Sequence, residues 1–243
     1  MSLPVFLGPV TDVGVGDSVT VDGDEAWHAV VVRRIRVGES VVLVDGSGTA
    51  ATCLVAEAHK SSFTAVVEGV TRSERPTPTV TVVQAIPKGE RAELAVEVLT
   101  EIGVDTIVPW AASRCVGVWR GDRAEKSLAK WRAAAREAGK QSRRAWLPEV
   151  TSQATTADVA ALLAEADLAV VLHEEAVVPI GALPLQGVFS IVVVVGPEGG
   201  ISEEELSSFS EAQVVHTGPT VLRTSTAGVA AVAALLAHTP RWA

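Results

Sequence analysis

Hydrophobic positions change their spacing near residue 80, and that change divides the chain in two. Before it, short β-rich runs at Ser18–Val21, Ser40–Asp45, Ala50–Ala56 and Phe63–Val70 are separated by Gly-Asp, Asp-Gly and Gly-Ser-Gly turns, the pattern of a small β module. Only Glu25–Arg34 interrupts them with helical spacing, and Trp27 and His28 within it read as core and turn residues. The polar stretch Thr71–Thr79, with its two prolines, reads as a linker.

Beyond the linker, strands and helices take turns. Val80–Ile86, Thr106–Trp110, Leu168–Leu172, Ser190–Val195 and Ala212–His216 are expected strands. Glu90–Ile102, Asp122–Ser142, Thr156–Glu165, Ser202–Ser210 and Thr226–His238 are expected helices. Gly103 closes the first helix, a Thr-Thr-x-Asp start opens the third, and Ser202 with Glu205 forms a capping box at the fourth. Leu168–Leu172 and Ser190–Val195 are continuously apolar, as parallel strands covered on both faces are. The expectation is an α/β protein: a small β-barrel-like domain over residues 1–72, a linker over 73–79, and an α/β sheet domain over 80–243.

Composition excludes several classes. At 243 residues, 48% hydrophobic and 20% charged, the chain has ample core and is not a disordered sequence. No apolar run approaches the roughly 20 residues of a membrane span. The N-terminus, MSLPVFLGPV, lacks the basic and apolar regions of a secretory leader. Cys53 and Cys115 stand far apart without CxxC spacing. That excludes a disulfide framework and a Cys-based zinc site, leaves no metal or membrane partner expected, and suits a reducing cytoplasm.

Charge changes the picture further. The net charge of −9 argues against a nucleic-acid partner, but its distribution argues for one. Arg114–Arg144 holds ten basic residues against three acidic ones, whereas Ala145–Leu222 holds no Lys or Arg. Three acids cannot pair ten bases within one helix, so a localised phosphate-binding face is expected, with pairing to the acidic C-terminal half as the alternative. Arg33, Arg34 and Arg36 cluster on the small domain, and Lys88, Arg91, Arg114, Lys140, Arg143 and Arg144 are candidates to extend that RNA-binding track.

Ligands of open α/β sheets sit beyond the carboxyl ends of the strands. Three such ends stand out: His173-Glu174-Glu175, the GPEGG stretch Gly196–Gly200, and the GPTVLRT stretch Gly218–Thr224. GPEGG leaves so little side-chain bulk that a flat ligand can approach backbone N–H and C=O groups. Phosphate is a poor occupant, since GxGxxG and GxxxxGK[ST] are absent and Glu198 and Glu203–Glu205 would repel it. An acidic, glycine-lined pocket suits a cationic, adenine-bearing ligand such as S-adenosylmethionine, with a plain structural turn as the alternative.

VVGPEGGISEEEL (Val194–Leu206) and TGPTVLRTSTAGVAAVAAL (Thr217–Leu235) together resemble the motif pair of the RsmE family. Lys88–Trp110 is similar to the first block of that family's catalytic domain, Ala135–Arg144 with Pro148–Val150 to its basic helix and exit, and Trp27–Glu39 to part of its PUA-like domain. The resemblance implies a SPOUT-class methyltransferase, with an N-terminal PUA-like β-barrel and an α/β domain ending in a C-terminal trefoil knot. It implies a homodimer that uses S-adenosylmethionine to methylate N3 of a uridine in the decoding region of 16S ribosomal RNA, in the small ribosomal subunit. The implied cofactor pocket comprises Leu172, His173, Glu174, Gly196, Gly199, Gly200, Ile201, Val221, Leu222, Arg223, Thr224 and Ala227. Departures stand at Val98, Lys140, Arg143 and Ser225, where the family usually has Lys, Glu, Gly and Glu.

Uracil N3 is a poor nucleophile until its proton is lost, so the anion must be stabilised and aligned with the methyl group. Arg223 is the candidate to stabilise that anion or grip a phosphate, against a purely bracing role on backbone carbonyls. Glu198 either orients substrate or caps the following helix. Glu174 is a candidate contact to ribose or ammonium, and His173 is either structural or a proton acceptor. A related knotted enzyme acting elsewhere on RNA or on ribose 2′-oxygen, and a non-catalytic ribosome-assembly factor, are the competing readings.

Overall fold

The computed structural model describes residues 3–89, 91–117 and 119–242. It forms two compact units, one running to Arg75 and including Gly139–Leu147, the other comprising Pro76–Ala138 and the chain from Pro148 onward.

The first unit contains β1 (Val5–Leu7), β2 (Ser18–Asp22), α1 (Gly23–Trp27) continued by a π-helical turn (His28–Val32), β3 (Ser40–Val44), β4 (Thr49–His59) and β5 (Ser62–Arg72). The sheet order is β1-β3-β4-β5-β2, parallel between β1 and β3 and antiparallel elsewhere. Phe6 on β1 and Phe63 on β5 meet edge to face with ring centroids 6.1 Å apart, although β3 and β4 lie between their strands. In a flat sheet three strand spacings would hold them roughly 14 Å apart. The sheet is therefore strongly curled, and its inward residues, among them Val21, Leu43, Val55 and Ala65, close on one apolar core.

The helical stretch buries Ala26 and Ala29 in that core and packs a partly buried Val30 against it. Trp27 lies on the other side and is 52% exposed, so it is not the core residue that its size suggested. Cys53 is fully buried, and burial pushes its thiol up to about 11. It is expected to resist iodoacetamide at neutral pH in the folded protein and to react after denaturation. Mass spectrometry of the two samples checks this, and native labelling of Cys53 would contradict the packing.

Gly139–Leu147, placed by sequence in the second domain, is built into the first unit. Gly48 N–H donates to Ala145 O at 3.0 Å, Leu147 N–H to Gly46 O at 3.0 Å, and Trp146 Nε1 to Ser73 O at 3.0 Å. Lys140 is buried, its Nζ lying 3.1 and 3.0 Å from the two carboxylate oxygens of Glu25.

The second unit contains β6 (Thr79–Ala85), α2 (Arg91–Glu101), β7 (Thr106–Trp110), most of α3 (Asp122–Gln141), β8 (Glu149–Val150), α4 (Thr156–Glu165), β9 (Leu168–Leu172), β10 (Val178–Pro179), a 3-10 turn (Ile180–Ala182), β11 (Ser190–Val195), α5 (Glu203–Ser208), β12 (Gln213–His216) and α6 (Thr224–Leu236). Glu90, expected to open α2, lies outside the described residues. All seven strands are parallel, in the order β10-β12-β9-β11-β6-β7-β8. Alternate side chains feed two apolar layers. On β11, Ile191, Val193 and Val195 join a layer with Leu99 of α2, Trp131 of α3 and Leu235 of α6, while Val192 and Val194 join Leu163 of α4 and Phe209. That double burial is why the run IVVVV carries no polar residue.

The expected capping box of Ser202 with Glu205 forms at α5, and the Thr-Thr-x-Asp start of α4 forms a second one, Thr155 with Asp158. The chain end is pinned by a buried ion pair. Arg241 Nη1 bonds Asp105 Oδ2 at 2.5 Å and Pro78 O at 2.8 Å, and its Nη2 bonds Asp105 Oδ1 and Gly103 O. Asp105 Oδ2 also accepts Val80 N–H at 2.8 Å, at the start of β6.

Candidate functional site

β12, β9 and β11 are neighbours in the sheet, so the segments that follow them leave the same edge. Residues 173–175, 196–201 and 217–223 there surround a cavity of about 750 Å³. Backbone forms much of its wall. A Cβ added at Gly196 would lie 2.7 Å from Cγ1 of the buried Ile201, so only glycine fits without displacing that side chain. Gly200, at φ +74°, closes the loop with its N–H 2.9 Å from Pro197 O.

Glutamates hold this loop to its neighbours. Glu205 is buried; its Oε2 accepts Ser202 N–H at 2.9 Å, and its Oε1 accepts Ser113 N–H at 2.7 Å from the loop after β7. Arg114 on that loop donates to Gly199 O at 3.2 Å. Glu198 accepts Lys88 N–H at 3.3 Å from the loop after β6. The start of α5 is capped by Ser202 and Glu205, so capping is not the role of Glu198. Glu205→Ala leaves two amides without their partner and is expected to lower the unfolding free energy by about 1–3 kcal/mol. Urea denaturation checks this, and an unchanged midpoint would contradict it.

Two histidines brace the other segments. His173 Nδ1 accepts Glu175 N–H at 3.2 Å, and His216 Nδ1 accepts Gly218 N–H at 3.1 Å. An imidazole that accepts at Nδ1 carries its proton on Nε2 and offers no open nitrogen to a substrate proton. The geometry thus favours the structural reading of His173. His216 went unnoticed in the sequence; its signal was its place at the end of β12.

Arg223 precedes the first turn of α6. Its carbonyl accepts the N–H groups of Thr226 and Ala227 at 2.8 and 2.9 Å, whereas its exposed guanidinium makes no hydrogen bond or ion pair with another described residue. It does not brace backbone carbonyls. Buried Gln84 on β6 fixes the helix start instead, donating to Thr224 O at 3.2 Å.

All twelve residues expected of a cofactor pocket line this one cavity, as do Glu198, Arg91 and Arg114. The lining is not simply acidic: Glu174, Glu175, Glu198 and Glu203 share it with Arg91, Arg114 and Arg223. Lys88 is exposed. In the first unit Arg33, Arg34, Arg36 and Arg143 are exposed, and Arg144 is half-buried with its Nε 2.8 Å from Trp146 O. Lys140, buried against Glu25, has no access to a phosphate, which corrects its place among the RNA contacts. Of the other departures, Ser225 is buried at the start of α6 and Val98 is half-buried in α2. Burial raises the Cys115 thiol, so it offers no ready thiolate. Among the described residues no group of His, Cys, Asp or Glu could hold a metal ion, and no helix is long and apolar enough to cross a membrane.

This fold and cavity are those of an RNA methyltransferase: residues 73–236 match the RNA methyltransferase domain, and residues 21–68 match the RNA methyltransferase PUA domain. The ribosomal RNA small subunit methyltransferase E of Mycobacterium bovis is 45% identical over 233 residues, spanning 93% of this chain and 89% of that protein. Its counterpart in Bacillus subtilis is 28% identical, spanning 89% and 88%. The chain belongs to the ribosomal RNA small subunit methyltransferase E family, RsmE. Among solved structures, the Neisseria gonorrhoeae member bound to S-adenosyl methionine superposes with a TM-score of 0.86 at 28% identity, covering 97% of this chain and 98% of that one. A Legionella pneumophila methyltransferase in complex with the cofactor SAM gives 0.89 at 26% identity, covering 98% of each.

Proposed function

We propose that this protein transfers the methyl group of S-adenosylmethionine to N3 of a uridine in 16S ribosomal RNA of the small subunit. The observation that carries this reading is the glycine-walled cavity at the ends of β9, β11 and β12, set in a chain of this family. The residues present fit the cofactor. A side chain at Gly196 would displace Ile201, itself part of the cavity wall, and Glu174 and Glu198 put negative charge on the lining for the cofactor's sulfonium and ammonium groups.

The cofactor supplies an electrophilic methyl carbon when bound. The chain's own residues then have two tasks. The walls formed by Leu172, Ile201, Leu222 and Ala227 exclude water and fix the line of approach. Arg223, with no partner among the described residues, stabilises the negative charge of the deprotonated uracil imide, or grips a neighbouring phosphate. The N3 proton would pass to solvent or to an acceptor outside the two braced histidines, leaving N3 as the anion that Arg223 would hold toward the methyl group.

The same reading carries a trefoil knot in the C-terminal segment and a homodimer that completes the cavity, in the cytoplasm where ribosomes are made. Val221, 75% exposed in the cavity lining, is apolar surface that a second copy would cover. Calorimetric titration with S-adenosylmethionine tests the cofactor assignment. A saturable isotherm is expected for the wild type and none for Gly196→Leu; no binding by the wild type at millimolar ligand would leave a non-catalytic ribosome-assembly factor.

A further inference from the structure

Strand β6 is apolar wherever it meets the helices, with one exception: Gln84, which is only 1% exposed. Side chains alternate along a strand, so Gln84 points to the same side as Val80 and Val82, whose apolar layer includes Ala231 and Leu235 of α6. A buried amide at such a position carries a desolvation cost that its hydrogen bonds must offset. Its Nε2 donates to Ala85 O at 3.0 Å on its own strand and to Thr224 O at 3.2 Å in the first turn of α6. Both acceptors are carbonyl oxygens, so the nitrogen of the amide is the atom that faces them. Thr224 does not need this donor to satisfy its carbonyl, because in a helix that begins there the Gly228 N–H already bonds it.

What α6 lacks is a cap of its own. Capping boxes fix the starts of α4 and α5 locally. Arg223 occupies the corresponding position of α6, and its side chain caps nothing. An arginine is a poor choice there, since it offers no acceptor to the free N–H groups and opposes the helix dipole. The start of α6 must therefore be held from outside the helix. Gly228 sets the height of α6 over the sheet: a Cβ on it would lie 3.1 Å from Leu99 Cδ2 and 3.2 Å from Val195 Cγ2. One turn earlier, Gln84 holds the end of α6 that carries Arg223 into the cavity lining.

We propose that Gln84 is a positioning residue for methyl transfer, setting the start of α6 so that Arg223 is aimed at the reacting base; the reaction itself is the one proposed above. The test uses the full chain carrying Gln84→Met, which keeps the length of the side chain and removes both donors, alone and combined with Arg223→Ala. With saturating cofactor and small subunits, Gln84→Met is expected to lower the single-turnover rate by about 10–10²-fold, as a misplacement of roughly 1 Å does. Its affinity for S-adenosylmethionine should stay near that of the wild type. In the Arg223→Ala background the same substitution should lower the rate by no more than about twofold, because a residue that acts through Arg223 then has nothing left to aim. In the protein without cofactor, amide hydrogen exchange at Thr226 and Ala227, whose N–H groups bond Arg223 O, should be several-fold faster in Gln84→Met. An unchanged rate, an equal fall in both backgrounds, or unchanged exchange overturns the proposal. A Gln84→Met chain that no longer folds overturns it too, since the amide would then serve stability. A wild type that moved no methyl group to small subunits would remove the functional reading, and exchange at the start of α6 would still decide whether Gln84 holds Arg223 in place.

Discussion

Arg223→Ala is expected to reduce methyl transfer by about 10²–10³-fold, the usual consequence of removing one donor aimed at developing negative charge. Affinity for S-adenosylmethionine should change by no more than a few-fold. The separation follows from the geometry: the carbonyl of Arg223 holds the first turn of α6, while its guanidinium makes no bond to another described residue. Truncation therefore removes a charge and leaves the loop in place, with Gln84 still fixing the helix start through Thr224. Arg223→Lys should recover part of the rate, since a point charge replaces a planar fork. Single-turnover kinetics with saturating subunits checks this, and a truncated variant that turns over like wild type would remove Arg223 from the reaction.

Asp105→Ala is expected to lower the unfolding free energy by about 3–5 kcal/mol, because it leaves the buried Arg241 guanidinium without its counter-charge. Side-chain exposures of 7% and 4% place both partners inside the protein. The loss is compounded at Val80, whose N–H donates to the same carboxylate. One carboxylate thus ties the start of β6 to the chain end after α6. Urea denaturation should show a much lower midpoint; a shift of under about 1 kcal/mol would match a solvent-screened surface pair instead. Arg241→Ala should have a similar effect, and the two together should be far from additive.

What was legible in the sequence follows from where each signal originates. Strands β9 and β11 end where their apolar runs end, because both faces are covered. The caps of α4 and α5 were readable because both partners lie within four residues. The cavity was readable because three strand ends carried glycine-rich or charged loops, and every residue named for the cofactor lines it. Strands β1, β8 and β10, of two or three residues, are too short to show a period. The burial of Lys140 was hidden because its partner, Glu25, is 115 residues away in the chain. Trp27 misled in the opposite direction: its size suggested core, but the helix turns Ala26, Ala29 and Val30 toward the curled sheet and leaves Trp27 exposed. The membership of Gly139–Leu147 in the first unit depends on contacts with Gly46, Gly48 and Ser73 that no local pattern announces. Nor could sequence tell that His173 and His216 spend their Nδ1 atoms on backbone amides.

One methyl transfer decides the activity of the protein. Small subunits from a strain lacking the modification, incubated with the protein and methyl-labelled S-adenosylmethionine, should yield labelled 3-methyluridine after digestion of their 16S RNA to nucleosides. Label that stays with the cofactor, or that emerges as a ribose-methylated or other base-methylated nucleoside, would contradict it.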